Sequence, residues 1–598
     1  MTDILKNRNE MDPEYLWRLD HIFEEDMMWE KDFEKIEDMA EGMKKFQGKL
    51  GSGSEILAGA LDFSMELSRA FEKVYVYAQM KSHEDSEESK YQAFASRAEA
   101  LASKVAISSS FMAPEILSIK DDILKAFIRE NERLTFYKKY LDEIIRNKPH
   151  VLSLEEEKLL AMANEVTGVP SQVYNMLNNA DITFEDIKDE NGNLIQVTKG
   201  KFGLLMQNED REVRKATFKS FHNSYEKQKN TLGALLASNI KANIFTSKAR
   251  NFENSREEAL FDSNINKDVY DNLIKVVNKN LPLLHRYMAL RKKAMGLEEL
   301  HMYDLHTPMV KAEKIEISYL EAVESVKNGV AVLGEDYCKT MNKAFENGWI
   351  DVYENRGKRS GAYSWGCYDS HPYILLNHSN NINNMFTLVH ELGHAMHSYY
   401  SDKSLPYTYA QYKIFVAEVA STFNEALLMN SLLNETKDKK IRLQLINYFM
   451  EQFRSTVFRQ TMFAEFENII HLRAEEGEAM TADLFTEIYM ELNKKYYGAD
   501  VILDKEIGIE WARIPHFYRS FYVYQYATGF SAAMALSKAI IEKKPGARES
   551  YLEFLKSGGS DYPVELLKKA GVDMITPEPV EKALAVFAGL LDEMEKEI

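Results

Sequence analysis

The feature that most constrains this chain is a pair of histidines four residues apart in a segment with helical periodicity. The segment 387–397 has the sequence TLVHELGHAMH, which places His390 and His394 one helical turn apart. At about 100° per residue, both imidazoles point to the same side of a helix and can bind one metal ion together. Leu388 and Leu392 fall near the opposite side. The sequence therefore predicts a helix with one packed face and one metal-binding face.

The pattern His-Glu-x-x-His is the signature of zinc-binding enzymes of the zincin type. A catalytic zinc ion takes three protein ligands and keeps a fourth position for a water molecule, whose pKa falls to about 7. Glu391 flanks the metal-binding face without being needed as a ligand. We therefore predict one zinc ion per chain and Glu391 as the general base, which takes a proton from the water and delivers it to a leaving amine.

The third protein ligand has to come from another segment. The segment 415–425, FVAEVASTFNE, indicates a second helix in which Glu418 lies among valine and alanine residues, a poor setting for a solvated carboxylate. A helical hairpin that turns between residues 401 and 406 would bring Glu418 back to the histidines. We predict Glu418 as the third ligand. The alternatives are His397 as a ligand and two core histidines bonded to backbone carbonyls.

Two further side chains are predicted to support the ligands. Glu425 lies two turns beyond Glu418 and could hydrogen-bond a ligand imidazole, which would fix its tautomer. The alternative for Glu425 is an ordinary glutamate on a helix surface. His397 points to the same side as His394, but a metal shared with His390 is awkward for it to reach, so we place it behind the ligands or facing a substrate.

Hydrolysis also needs a hydrogen-bond donor for the tetrahedral oxyanion. The segment 514–529, IPHFYRSFYVYQYATG, is dense in tyrosine, and Tyr522 and Tyr526 share a face if the segment is helical. His516 lies near its start. Aromatic segments of this kind form hydrophobic core more often than they take part in catalysis, so the residues alone leave both interpretations open.

Three segments together resemble the M3 metallopeptidases, and specifically the bacterial oligoendopeptidase F branch: residues 390–397, 415–425 and 514–529. The resemblance implies a mostly helical, zincin-type fold with a deep substrate channel that admits short peptides. It also implies that residues 360–377 form a small β-sheet near the active site, whose edge can pair with an extended substrate.

The resemblance further implies a role for each candidate residue. The zinc ligands would be His390, His394 and Glu418. The general base would be Glu391. The residues that contact substrate and stabilise the transition state would be His516, Tyr522 and Tyr526.

Composition agrees with a helical enzyme. The 598 residues include only 13 prolines and 27 glycines, too few for an all-β protein with many turns. The net charge of −19 disfavours nucleic acid or an anionic membrane as partner. Two cysteines cannot form a disulfide framework, and we find neither a signal-peptide segment nor a run of about 18 apolar residues. We therefore predict a soluble, cytoplasmic protein.

The chain is predicted to form two domains. About the first 180 residues indicate successive amphipathic helices without ligand-spaced histidine, cysteine or aspartate. Residues 184–197, centred on Asn191-Gly192, predict a β-hairpin with a type I′ turn. We therefore predict an N-terminal helical lobe over residues 1–198 and a zinc metallopeptidase catalytic domain over residues 199–598.

The sequence thus predicts a zinc-dependent endopeptidase that hydrolyses internal bonds of short oligopeptides. Two alternatives remain at this stage. A helical zincin with the same short motif could be a carboxypeptidase, and a non-catalytic helical protein could bind zinc structurally. Short peptides are the predicted partners, and the sequence does not fix the oligomeric state.

Overall fold

The computed structural model describes residues 5–310 and 316–598, which are mostly helical with a few short strands. The predicted fold class, mostly α with small sheets, is confirmed. The chain divides into two compact units, each made of three separate segments. The first unit comprises Met1–Pro149, Ile315–Leu428 and Ala539–Gly571; the second comprises His150–Lys314, Met429–Lys538 and Val572–Ile598. The predicted boundary after residue 198 divides the chain into continuous segments instead, and it stays a prediction.

The helices follow one another with short connections. Before residue 150 they are α1 (Asp26–Gly42), α2 (Ser54–Glu84), α3 (Ser89–Ser109), α4 (Met112–Ser118), α5 (Asp121–Glu130), α6 (Glu132–Phe136) and α7 (Lys138–Arg146). The next are α8 (Leu154–Thr167), α9 (Val169–Met176), α10 (Lys199–Leu205), α11 (Arg211–Glu226), α12 (Lys229–Ala249), α13 (Ser255–Phe261), α14 (Lys267–Lys279) and α15 (Leu281–Ala294). Then come α16 (Tyr319–Val330), α17 (Glu335–Glu346), α18 (Ile382–Ser404), α19 (Tyr407–Ala410) and α20 (Ile414–Glu435). The last are α21 (Lys439–Gln452), α22 (Arg459–Glu475), α23 (Ala482–Tyr497), α24 (Tyr524–Ile541), α25 (Ala547–Lys556), α26 (Pro563–Lys569) and α27 (Glu578–Glu597).

The strands are short and form small sheets. They are β1 (Ile187–Lys188), β2 (Leu194–Ile195), β3 (Leu300–His301), β4 (Ile350–Asp351), β5 (Tyr363–Trp365), β6 (Tyr373–Leu375) and β7 (Val501–Ile502). Strands β1 and β2 are antiparallel, and β3 pairs in parallel with β7. The third sheet has the order β4-β6-β5, in which β6 runs parallel to β4 and antiparallel to β5. Strand β5 is therefore an edge strand, and the sheet predicted within residues 360–377 is present.

The predicted hairpin forms, but its turn differs from the prediction. A type I′ turn needs positive φ at both Asn191 and Gly192. Only Gly192 has it, at 85°, and its N–H donates to the carbonyl oxygen of Asp189 at 3.0 Å. The Asp189 carboxylate also accepts the backbone N–H groups of Asn191 at 2.9 Å and Asn193 at 2.7 Å. This side chain stabilises a longer loop, so the predicted type I′ turn is wrong.

The N-terminal helices and the three-stranded sheet share one hydrophobic core within the first unit. Trp29 of α1 is fully buried, stacks on Phe94 of α3 with ring centroids 4.0 Å apart, and donates its indole N–H to the carbonyl oxygen of Val74 at 2.8 Å. Tyr373 and Leu375 of β6 are buried in the same core. Burying one such side chain contributes about 1.5–3 kcal/mol. The N-terminal helices therefore hold the sheet that ends in β5.

No helix within residues 5–310 and 316–598 combines the length and apolarity that crossing a membrane requires. The cytoplasmic location stays a prediction.

Candidate active site

Helix α18 forms where the sequence predicts it and buries its predicted apolar face. The Asn381 side chain caps its N-terminus by accepting the N–H of Asn384 at 3.0 Å. Leu388, Leu392 and Met396 lie on its packed face with no solvent exposure. Because these residues recur at helical spacing, the opposite side of α18 carries the two histidines.

The structure brings His390, His394 and Glu418 together within the first unit. Their candidate ligand atoms all lie within 4.8 Å of one another. Oε2 of Glu418 is 3.4 Å from Nε2 of His390 and 3.7 Å from Nε2 of His394. In the part of the chain that the structure describes, no other three histidine, cysteine or acidic side chains meet in this way. A helical hairpin, α18 followed by α20, therefore produces the predicted convergence.

A glycine allows the two helices to approach closely enough. A Cβ atom placed on Gly393 would lie 2.5 Å from Cα of Ser421 and 2.6 Å from the carbonyl oxygen of Ala420. Real Cβ atoms do not come this near to backbone, so α18 and α20 can pack at this distance only with glycine at 393. The small residues Ala420 and Ser421 supply the matching surface of α20, one turn from Glu418.

Neighbouring groups orient both imidazoles. Nδ1 of His390 lies 2.7 Å from Oε1 of Glu425. Because a carboxylate can only accept, Nδ1 donates to Glu425, and Nε2 is the ring nitrogen that faces Glu418. The ring of His394 donates to the backbone carbonyl of Ala417. The Ser421 hydroxyl donates to Oε2 of Glu418 at 3.2 Å.

The charges around the histidines favour a cation. Burial alone lowers the pKa of His390, but the hydrogen bond to Glu425 and the charges of Glu391 and Glu418 outweigh it, which gives a pKa of about 9. The pKa of His394 is lowered to about 3 by burial and by the neighbouring His390 and His397. The site thus combines a neutral imidazole with a surplus of negative charge, and a divalent cation can replace the proton on His390.

The side chain of Glu391, in α18, contacts the edge strand β5. Its side chain is buried, with 7% exposure, and burial raises its pKa to about 7. The charge of His390 and a hydrogen bond from the backbone N–H of Ser364, in β5, act in the opposite direction. Glu391 is therefore held against the outer side of β5, where a carboxyl group can accept and return a proton.

His397 does not join the three candidate ligands. It is buried, and its ring stacks on Tyr412 with centroids 3.7 Å apart and lies 5.2 Å from the ring of Phe554. Burial lowers its pKa to about 3. Neither ring nitrogen has a hydrogen-bond partner among the described residues. Its contacts are those of a packed aromatic group.

His516, Tyr522 and Tyr526 form a separate cluster in the second unit. Nε2 of His516 lies 3.2 Å from the Tyr526 hydroxyl, and the two tyrosine rings are 5.5 Å apart. All three side chains are partly exposed, whereas the intervening Phe517 and Phe521 are buried. Burial lowers the pKa of His516, and Arg519 adds to this effect. The segment thus alternates core residues with accessible polar aromatic groups, and the catalytic role of the accessible groups stays a prediction.

Two groups of the site are backbone atoms that sequence analysis missed. They are the Ser364 N–H and the Ala417 carbonyl. Backbone donors and acceptors occur at nearly every position, so residue type carries no signal for them.

Similarity to known proteins identifies the family. The model of peptidase family M3 matches residues 204–586, and the model of oligopeptidase F matches residues 115–184. The chain belongs to peptidase family M3. The predicted resemblance is thus confirmed, as is the predicted enzyme class, a metalloendopeptidase.

Relatives of this M3 peptidase align over nearly its whole length. Oligopeptidase PepF of Bacillus subtilis is 49% identical over 99% of the chain and 88% of its own length. Group B oligopeptidase PepB of Streptococcus agalactiae is 41% identical over 98% of both chains. The crystal structure of oligoendopeptidase-F from Enterococcus faecium is 39% identical, has a TM-score of 0.74, and covers 96% of this chain and 99% of its own.

The donor set of this M3 peptidase suits zinc. Two imidazole nitrogens and one carboxylate oxygen are a common set for catalytic zinc, with bonds of about 2.0–2.2 Å. Neighbouring donors of a tetrahedral ion with such bonds are about 3.3–3.6 Å apart. The separations of 3.4 and 3.7 Å from Glu418 to the two histidines are close to this range. The residues present therefore fit the metal that the family implies.

Proposed function

We propose that this M3 peptidase is a zinc-dependent endopeptidase that hydrolyses internal bonds of short oligopeptides. The observation that carries the proposal is the convergence of His390, His394 and Glu418, with the buried Glu391 on the same helix. One zinc ion per chain, held by these three ligands, would activate a water molecule and polarise the scissile carbonyl. Glu425 and the Ala417 carbonyl orient the imidazoles.

The edge strand β5 supports a place for the substrate backbone. The N–H of Ser364 bonds to Glu391, and in an antiparallel pair successive residues point their backbone groups alternately toward and away from the partner strand. The backbone groups of Ser364 therefore lie on the side of β5 opposite to β6. An extended peptide that added to this edge would lie against Glu391.

Glu391 performs the proton transfers in this mechanism. Its carboxylate takes the proton of the attacking water and passes it to the departing amine nitrogen. Its burial keeps bulk water from exchanging that proton during the reaction. His516, Tyr522 and Tyr526 contact the substrate and stabilise the oxyanion of the transition state, a role supported by their accessible polar atoms and by the family resemblance.

The position of the cleaved bond distinguishes this function from the carboxypeptidase alternative. A peptide of about eight residues, acetylated at its N-terminus and amidated at its C-terminus, is incubated with the zinc-loaded enzyme, and the products are identified by mass spectrometry. Internal fragments are the expected result. Failure with the amide, together with loss of single C-terminal residues from the free acid, contradicts the proposal in favour of a carboxypeptidase. One bound zinc and no hydrolysis across a peptide library would leave a non-catalytic zinc protein.

A further inference from the structure

A buried glutamate, Glu467 of α22, contacts the turn that precedes Tyr522 and Tyr526. Its side chain has no solvent exposure. Oε1 accepts the backbone N–H of Phe521 at 2.7 Å, while Oε2 has no hydrogen-bond partner among the described residues. Burial of a carboxyl group whose hydrogen bonds are only partly satisfied is unfavourable. The position of Glu467 therefore calls for a structural or functional explanation.

The bond falls on a strained residue. Phe521 has a φ of 49°, the left-handed region that glycine or asparagine normally occupies. It is the third residue of a turn closed by the N–H of Tyr522, which donates to the Arg519 carbonyl oxygen at 3.2 Å. A phenylalanine in this conformation is disfavoured about fivefold or more relative to glycine. Contacts around the turn must therefore stabilise it.

Helix α22 holds Phe521 in two ways. Glu467 binds its backbone, and His471, one turn further along, has its ring 4.7 Å from the Phe521 ring. Nδ1 of His471 donates to the Glu467 carbonyl oxygen at 2.8 Å, and Nε2 lies 3.1 Å from Nδ2 of Asn243. The hydrogen bond of Nδ1 is buried, and that of Nε2 is partly buried. The glutamate and the histidine thus act on the same residue of the turn from one face of α22.

The turn determines the direction of Tyr522 and the start of helix α24, which carries Tyr526. The N–H of Gln525 donates to the Tyr522 carbonyl oxygen at 3.2 Å, and the N–H of Tyr526 donates to that of Val523 at 3.3 Å, so α24 starts directly from the turn. Val523 is fully buried next to the partly exposed Tyr522. A change in the backbone at Phe521 would redirect Tyr522 and rotate the first turn of α24, which carries Tyr526.

We propose that Glu467 is a positioning residue: its bond to Phe521 keeps the turn in the left-handed conformation and thereby orients Tyr522 and Tyr526, a role that depends on the function proposed above. Burial raises the pKa of Glu467 to about 8, and the Phe521 N–H opposes this only in part. The carboxyl is therefore mostly protonated at neutral pH and leaves no charge in the core. A glutamine offers the same acceptor oxygen, whereas a leucine of similar size offers none.

Kinetics of a small set of variants tests this role. Glu467→Gln should keep kcat within about twofold of the wild type. Glu467→Leu should lower kcat about tenfold or more while KM changes less than threefold, because tyrosines that act on the transition state affect kcat rather than ground-state binding. Ile470→Val, a change at an equally buried position of α22, is the control and should lower the melting temperature without changing kcat.

A pair of double variants separates positioning from general stability. Glu467→Leu combined with Phe521→Gly should recover kcat about fivefold over Glu467→Leu combined with Phe521→Ala. Both double variants lack the aromatic ring of residue 521, and only glycine adopts the left-handed conformation without stabilising contacts. A loss of packing alone would affect the two pairs equally, so equal kcat values would overturn the proposal.

Tyr522→Phe and Tyr526→Phe distinguish this proposal from the proposed function. If either lowers kcat about 100-fold while Glu467→Leu is fully active, the role of Glu467 is wrong and the function of the tyrosines stands. If both tyrosine variants hydrolyse peptide at the wild-type rate, their assigned role fails, and the role of Glu467 fails with it.

Discussion

The three candidate ligands and the tyrosine cluster are held in place by different kinds of structure. His390, His394 and Glu418 lie inside two long helices that touch through a glycine, so their positions follow from helix geometry. Tyr522 and the helix that carries Tyr526 come directly after Phe521, a residue with positive φ that contacts two side chains of another helix, Glu467 and His471. We therefore expect substitutions outside α18 and α20 to leave the first arrangement in place, and replacement of Glu467 to shift the second.

The largest effect is expected from Glu391→Gln, a change in α18 that does not involve the tyrosine cluster. An amide cannot accept the proton of the attacking water, so peptide hydrolysis should fall by several orders of magnitude, about 1000-fold or more. Zinc content, measured by elemental mass spectrometry after dialysis, should stay near one per chain because no ligand is removed. A variant that hydrolyses peptide near the wild-type rate would remove Glu391 as the base.

Glu418→Ala should remove the metal itself. Loss of one of three ligands is expected to lower zinc affinity by more than 100-fold, since even partners behind the ligands are worth 10- to 100-fold. The matched control is His397→Ala, which alters a nearby packed histidine outside the ligand group and should retain zinc. Competition with a chromogenic chelator measures both affinities. Unchanged zinc affinity in Glu418→Ala, together with lost affinity in His397→Ala, would mean that His397 and not Glu418 is the third ligand.

Glu425→Ala should have an intermediate effect. Without the carboxylate at 2.7 Å, the ring of His390 is free to rotate and to change its tautomer. We expect a 10- to 100-fold loss of zinc affinity with the same chelator measurement. An effect as large as that of Glu418→Ala would contradict an orienting role and would place Glu425 among the ligands.

Gly393→Ala tests whether helix contact alone positions the ligands. The added Cβ would overlap the backbone of α20, so we expect a loss of about 1–3 kcal/mol in the free energy of unfolding and weaker zinc binding. Gly589→Ala, in helix α27, is the matched control because a Cβ there has no heavy atom within 4 Å. That change should be neutral or stabilising, by about 0.5–1 kcal/mol. Denaturant unfolding compares the two. Equal stabilities would show that α18 and α20 are not closely packed at Gly393.

The difference between residues placed by helix geometry and residues placed by a turn explains how much of the site the sequence could predict. Helix α18 and its buried face follow from spacing at 3.6 residues per turn, and Glu418 could be singled out because it is an acidic residue in an apolar segment. For Glu425 the sequence left two interpretations open, a bond to a ligand imidazole and an ordinary position on the helix surface. The turn at Phe521 gives no such signal, because residues 519–522 contain neither glycine nor asparagine. Its partner Glu467 is 54 residues away in the chain. Tertiary contacts override local preference at this point.

The fold was predictable to a similar degree. Long amphipathic helices dominate residues 5–149, as their periodicity indicates. The hairpin around Gly192 was also predictable, but its loop conformation was not, because the Asp189 side chain competes for the backbone N–H groups. The division into two discontinuous units depends on contacts between segments far apart in the chain, and such contacts leave no local pattern.

The outward side of β5 has a consequence for selectivity. Every amino acid except proline offers the same main-chain hydrogen bonds. A subsite made of such bonds would therefore select peptides by their backbone conformation more than by their side chains. A strand paired on both sides inside a folded domain has no such groups free, while an unfolded fragment of almost any composition does. Selection of a substrate would then depend on whether its backbone is still free to pair with a strand.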